Sequence, residues 1–150
     1  MKIPILNLYR FAHYYEEAYG KYIWLKSGAS LVIEHTEAMT VIDVNTGSVL
    51  KKKKQEDTLF YQINREAAKE IARQLRLRNI SGIIMIDFIN MKDTAQKEKL
   101  LSLLDSECKK DRVHCNVIDM TALNLVEMTR SKVRKPLHEQ IRSCMKNNRS

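Results

Sequence analysis

"TVIDVNTG", Thr40 to Gly47, and "SGIIMIDFIN", Ser81 to Asn90, decide how this chain is read. Each is an apolar, β-branched run that stops abruptly on an aspartate, Asp43 in the first and Asp87 in the second. Runs of this kind read as strands, and the second is too apolar throughout to be half-exposed, so it is expected at the centre of a sheet. Between them, Phe60, Ile63, Ala67, Ile71 and Leu75 recur at spacings of three and four, which predicts a helix from about Asp57 to Arg78 with one buried stripe. A strand, a helix and a strand make a crossover unit, so the two strands are expected to be parallel or nearly so.

The flanks extend this frame. "YIWLK" and "SLVIEHT" read as strands around a turn at Ser27-Gly28, and a short turn at Glu37-Ala38 leads into "MTVIDVN", a hairpin spacing. Asp93 reads as a helix cap with Gln96 as its capping-box partner, ahead of a buried stripe of Leu100, Leu101, Leu104 and Cys108. "RVHCNVIDM" reads as a further strand. "NLVEMTRSKVRK" is expected to be helical, with Pro136 interrupting the chain beyond it. The predicted order is β-β-β-α-β-α-β-α, an α/β fold with a mixed sheet, hairpin-linked N-terminal strands and flanking helices. Residues 5–20 read as a short amphipathic helix carrying Leu6, Tyr9, Phe11 and Tyr15.

The 150 residues suit one domain with a core of its own. The formal net charge is +8, unevenly placed: residues 1–50 hold four Lys/Arg against five Asp/Glu, and residues 51–150 hold 22 against 13. A basic excess confined to one part of the chain favours a polyanionic partner, nucleic acid first. Cys108, Cys115 and Cys144 form no CxxC pair and read as reduced thiols rather than a disulfide framework or a zinc site. No apolar run approaches the ~18–20 residues that span a bilayer, and no signal peptide is evident. A cytoplasmic protein is expected. The four histidines are scattered, and there is no GxSxG elbow and no glycine-rich phosphate loop.

Chemistry therefore centres on the aspartates. In open α/β sheets, sites lie at the carboxyl ends of strands. On neighbouring strands, Asp43 and Asp87 come within a few ångströms, and two carboxylates so close stay ionised only around a cation. Hard oxygen ligands in small number suit Mg²⁺, which retains waters and prefers phosphate oxygens as further ligands. Asn45, two residues on, shares a strand face with Asp43, so its amide could hold a water or a phosphate oxygen. Gly47 lets the chain leave the strand with unusual dihedrals. The competing reading is plain: an aspartate after a strand is often a helix cap or the start of a loop. Arg65, Lys69, Arg73 and Arg76 fall on one helix face. They, the lysine run Lys51–Lys54, and Arg78, Arg130 and Arg134 are either solvated charges or contacts to a phosphate backbone.

"WLKSGASLVIEHTEAMTVIDVNTG", "NREAAKEIARQLRLRNISGIIMIDFINM" and "NLVEMTRSKVRKPL" closely resemble the catalytic region of the ribonuclease E/G family of endoribonucleases, over about residues 22–138. The resemblance implies a deoxyribonuclease I-like subdomain and Mg²⁺ held by Asp43 and Asp87. It implies that Asn45 orients a carboxylate or water, and that single-stranded RNA is hydrolysed. Lys52, Arg73, Arg76, Arg78, Arg130 and Arg134 are the expected RNA contacts. Residues 1–21 then read as a remnant of an upstream subdomain and 139–150 as a basic tail. The family's cysteine pair, which links protomers through zinc, is matched only by Cys144, so a zinc link is not expected, while a homo-oligomer stays open. Asn90 and Arg65 also depart from the family pattern, which has an aspartate and an apolar residue there. The alternative is a non-catalytic RNA-binding remnant of such an enzyme.

Overall fold

The computed structural model describes residues 18–47, Val49 and 56–147. The predicted helix over residues 5–20 lies almost wholly outside them, as does the lysine run. Six strands form one mixed sheet: β1 (Tyr22–Trp24), β2 (Ser30–His35), β3 (Met39–Asn45), β4 (Gly82–Asp87), β5 (Cys115–Met120) and β6 (Leu125–Arg130). Among the described residues three helices accompany them: α1 (Glu56–Leu77), α2 (Thr94–Cys108) and α3 (Leu137–Asn147).

The spatial order is β1-β2-β3-β4-β6-β5. Both N-terminal connections are antiparallel, and the hydroxyl and amide of Thr36 close the β2–β3 turn on Met39. β3 and β4 pair in parallel through α1, as a crossover unit requires. β4 is central in position, yet Ile83 is 48% exposed, because only one face of the sheet is covered.

One element differs from expectation. Leu125–Arg130 is a strand paired to β4 and β5, not a helix. Its burial alternates strictly: Val126, Met128 and Arg130 point inward and Leu125, Glu127 and Thr129 outward. That period of two selects a strand. The β5–β6 turn before it is built on Asn124 at φ 62 and on the Thr121 hydroxyl, which accepts from Leu123 N and Leu125 N. Residues 137–147 continue as α3 behind Pro136 and bury Ile141 rather than trailing as a tail.

The core lies on one side of the sheet. Leu31, Ile33, Ile42, Val44, Ile84, Ile86, Val126 and Met128 meet α1 and α2 there. Ala67 and Ala68 are wholly buried, so α1 sits close against the strands, and a larger side chain at either would overpack by ~1–3 kcal/mol. Burial of each large aliphatic contributes roughly 1.5–3 kcal/mol. No helix among the described residues is long and apolar enough to cross a membrane.

Candidate functional site

Side chains alternate along a strand, so the residues between the core positions of β3 and β4 face the opposite, uncovered side. Asp43 and Asp87 are two of them. They are register partners in adjacent parallel strands. Neighbouring strands lie ~4.8 Å apart, which sets the two side chains off side by side. Burial first, and the Asp43 carboxylate second, push the Asp87 carboxyl above its ordinary value. Water at this strand end screens both effects.

Asn45 Nδ2 donates to Asp43 Oδ2 at 2.9 Å. The amide thus fixes the carboxylate on its own strand. Two residues past β3 comes Gly47, whose φ of +57° suits glycine, and a Cβ there would lie 3.0 Å from the Gly28 carbonyl oxygen. Among the described residues, no group of three or more His, Cys, Asp or Glu converges on a point that could hold a metal. Two carboxylates by themselves are a ligand set that would suit a hard cation keeping most of its waters.

The loop after Asp87 is held from beneath by Asn64, wholly buried in the interior of α1. Its Nδ2 donates to Ile89 O at 2.7 Å, and Ile89 N donates to its Oδ1 at 3.0 Å. Phe88 and Met91 are buried on either side of this clamp. Sequence reasoning passes over Asn64. The one signal is an asparagine between Ile63 and Ala67 in a helix interior, a place of poor propensity that asks for a partner. Asp93 caps α2 through Ala95 N, while Gln96 Oε1 is buried without a hydrogen bond, so the capping box does not close.

The basic candidates separate into three groups. Arg78 and Arg130 are each only 4% exposed. Arg78 donates to Gln74 Oε1 and Gly20 O, and Arg130 to both Asp111 oxygens, Asn79 Oδ1 and Ile80 O. These two face inward and hold the fold, instead of facing solvent as expected of RNA contacts. Arg73, Arg76 and Arg134 are exposed, but not beside the carboxylates. Arg73 and Arg76 sit on α1, across the sheet from the pair, and Arg134 comes after β6 at the end opposite Asp87. Lys52 lies outside the described residues.

The family model described as the Ribonuclease E/G family matches residues 1–133. Ribonuclease G of Escherichia coli K12 is 43% identical over 134 residues, 89% of this chain and 27% of that protein. Ribonuclease G of Haemophilus influenzae is 45% identical over 134 residues, 89% of this chain and 27% of that protein. Ribonuclease E of Nostoc sp. PCC 7120 is 40% identical over 136 residues, 91% of this chain and 20% of that protein. The chain thus spans about a quarter or less of the length of these relatives.

Proposed function

The chain belongs to the ribonuclease E/G family, and on that premise we propose that it is a Mg²⁺-dependent endoribonuclease domain that hydrolyses single-stranded RNA in the cytoplasm. The sheet and its one layer of helices are read as the family's deoxyribonuclease I-like subdomain. The observation that carries the proposal is the parallel register of Asp43 and Asp87 on the open face, with Asn45 bonded to Asp43.

Two side-by-side carboxylates, one with a raised pKa, form an anionic pair that a divalent cation relieves. Mg²⁺ held there would supply charge neutralisation at the scissile phosphate and a strong oxygen nucleophile at neutral pH. Asp43 and Asp87 bind the cation. Asn45 keeps the Asp43 carboxylate from rotating. Asn64 keeps the loop after Asp87 in place. The net charge of +8 draws RNA to the domain before any specific contact forms.

A second reading is an RNA-binding domain without turnover, since the net charge of +8 attracts RNA whether or not it is cleaved. The test is cleavage of a short fluorescent single-stranded RNA by the purified chain, with Mg²⁺ and with chelator, beside Asp43→Asn and Asp87→Asn. Mg²⁺-dependent cutting lost in both variants supports the nuclease. Cutting that persists in chelator or in either variant overturns the two-aspartate mechanism. Binding without cutting moves the assignment to the second reading.

A further inference from the structure

Tyr22 and Trp24 are 61% and 74% exposed, the two large aromatics of the short edge strand β1. Rings of this size contribute strongly when covered, and here they stand on the open face beside the carboxylate site. The register makes the relation specific. Tyr22 opposes Val32, Val32 opposes Asp43 and Asp43 opposes Asp87. Trp24 opposes Ser30, which opposes Asn45. At ~4.8 Å per strand, Tyr22 stands ~10 Å from Asp43 and ~14 Å from Asp87 on the same face.

Round the β1 edge the same two residues border a cleft of about 770 Å³ that Lys26, Lys69 and Arg73 also line. Its acids are already engaged. Glu66 accepts from Lys26 N and Ser27 N, and Glu70 accepts from Arg73 and from Gln74. Aromatic faces flanked by cations form the usual surface for single-stranded nucleic acid, because every base has a π-face and every linkage a charge.

We propose that single-stranded RNA engaged at the carboxylate pair runs across the β1 edge, with bases stacked on Tyr22 and Trp24 and its backbone passing Lys26, Lys69 and Arg73. The proposal rests on the RNA-directed reading above and adds the substrate's path and two positioning residues. It also gives the basic face of α1 a role reached around the sheet edge rather than through it.

Trp24 is the chain's single tryptophan, so its emission reports on this surface alone. The experiment titrates the chain with a fluorescein-labelled ten-nucleotide oligouridylate in chelator, reading tryptophan emission and label anisotropy together. A saturable quench with the same midpoint as the anisotropy is expected. Trp24→Ala should weaken binding about fivefold or more, and Trp24→Phe should restore most of it. Lys69→Gln with Arg73→Gln should lower the salt slope of log K by about 1.4. Anisotropy that rises with emission unchanged, or affinity indifferent to Trp24→Ala, overturns the proposal, as does no binding at all. Set beside the cleavage assay on the same wild-type chain, the titration separates the two readings. Quenching by a chain that never cleaves sinks the nuclease and leaves the path standing. Mg²⁺-dependent cleavage without quenching does the reverse.

Discussion

Asp43 and Asp87 are direct register partners on adjacent parallel strands, and Asp87 titrates above an ordinary carboxyl because of burial and its neighbour's charge. An acid whose folded pKa is raised holds its proton more tightly folded than unfolded. Its ionised form therefore costs stability above the folded pKa, and that cost disappears as pH falls through it. Metal-free Asp87→Asn should melt at the same temperature as wild type or higher at pH 7. Mg²⁺ at ten times its Kd should stabilise wild type by about 1.4 kcal/mol and leave Asp87→Asn unmoved. Calorimetry with and without Mg²⁺ checks both. A variant that melts lower without metal, or that gains equally from Mg²⁺, would sink the pair as a cation site.

Asn45 is exposed and its side-chain amide bonds Asp43, so its removal should spare the fold and loosen the carboxylate. Groups that orient a metal ligand are worth about 10–100-fold in affinity or activity. Asn45→Ala should lower cleavage and Mg²⁺ affinity within that range, with a urea midpoint close to wild type. Unchanged Mg²⁺ affinity would show that the Asn45–Asp43 bond is incidental.

Asn64 makes the opposite prediction. It is wholly buried and satisfies both the N–H and the C=O of Ile89. Asn64→Ala strands both backbone groups, at about 1–3 kcal/mol for each one left unsatisfied. Urea unfolding should show the loss with little change in slope, and amide exchange should quicken at residues 88–91. A variant as stable as wild type would mean the loop finds other partners.

The strand-end aspartates are legible in the sequence because two apolar runs each stop on a carboxylate, where one such ending would be ordinary, and the crossover between them dictates parallel pairing. Leu125–Arg130 is not legible as a strand. Its apolar residues, at 125, 126 and 128, fit a helical stripe as well as an alternating one, and pairing with β4 decides between them. The buried arginines are hidden for a different reason. Arg76 and Arg78 look alike in sequence, but only Arg78 meets the Gly20 carbonyl, 58 residues away. Nothing local announces such a partner. The same holds for Arg130 and Asp111, and it is why a count of basic residues points to more RNA contacts than the surface offers.

Arg130 and Asp111 are 3% and 6% exposed at their side chains and meet at 2.9 Å. Burial alone would raise the Asp111 carboxyl, but hydrogen bonds from Arg130 and Val113 N hold it below its ordinary value. A depressed acid contributes stability above its unfolded pKa, and that stability is lost as pH falls through the folded one. Asp111→Asn leaves a buried guanidinium without its counter-charge and should cost about 3–5 kcal/mol. Arg130→Met with Asp111→Leu should cost much less, since neither charge is then stranded. A double-mutant cycle in urea reads both. Equal losses in the single and double variants would mean the pair is merely space-filling.

His35 stacks on His138 with ring centroids 3.7 Å apart, joining β2 to α3. Burial first, then the charges of His138, Arg78 and Arg142, lower the His35 pKa to about 4. The other groups at this junction are Lys21 with its ion-pair partner Glu34, Lys132, Glu139 and Thr40, whose hydroxyl meets His35 Nδ1 at 3.0 Å. A base with a lowered folded pKa binds fewer protons folded than unfolded between the two values, so stability rises with pH there. Going down from the unfolded value of about 6.5, stability should fall until pH is near 4. The loss is driven by unfolded-state protonation of His35 and, more weakly, of His138, whose pKa is lowered chiefly by burial. Above pH 7 the His35 contribution should be flat. His35→Gln keeps a side chain able to meet Thr40 and cannot charge. Its stability should therefore vary less than wild type's between pH 6.5 and 4, whatever its level at pH 7. Melting curves at half-unit steps settle this, and parallel pH profiles for the two proteins would place the acid sensitivity elsewhere, with His138 the next group to test.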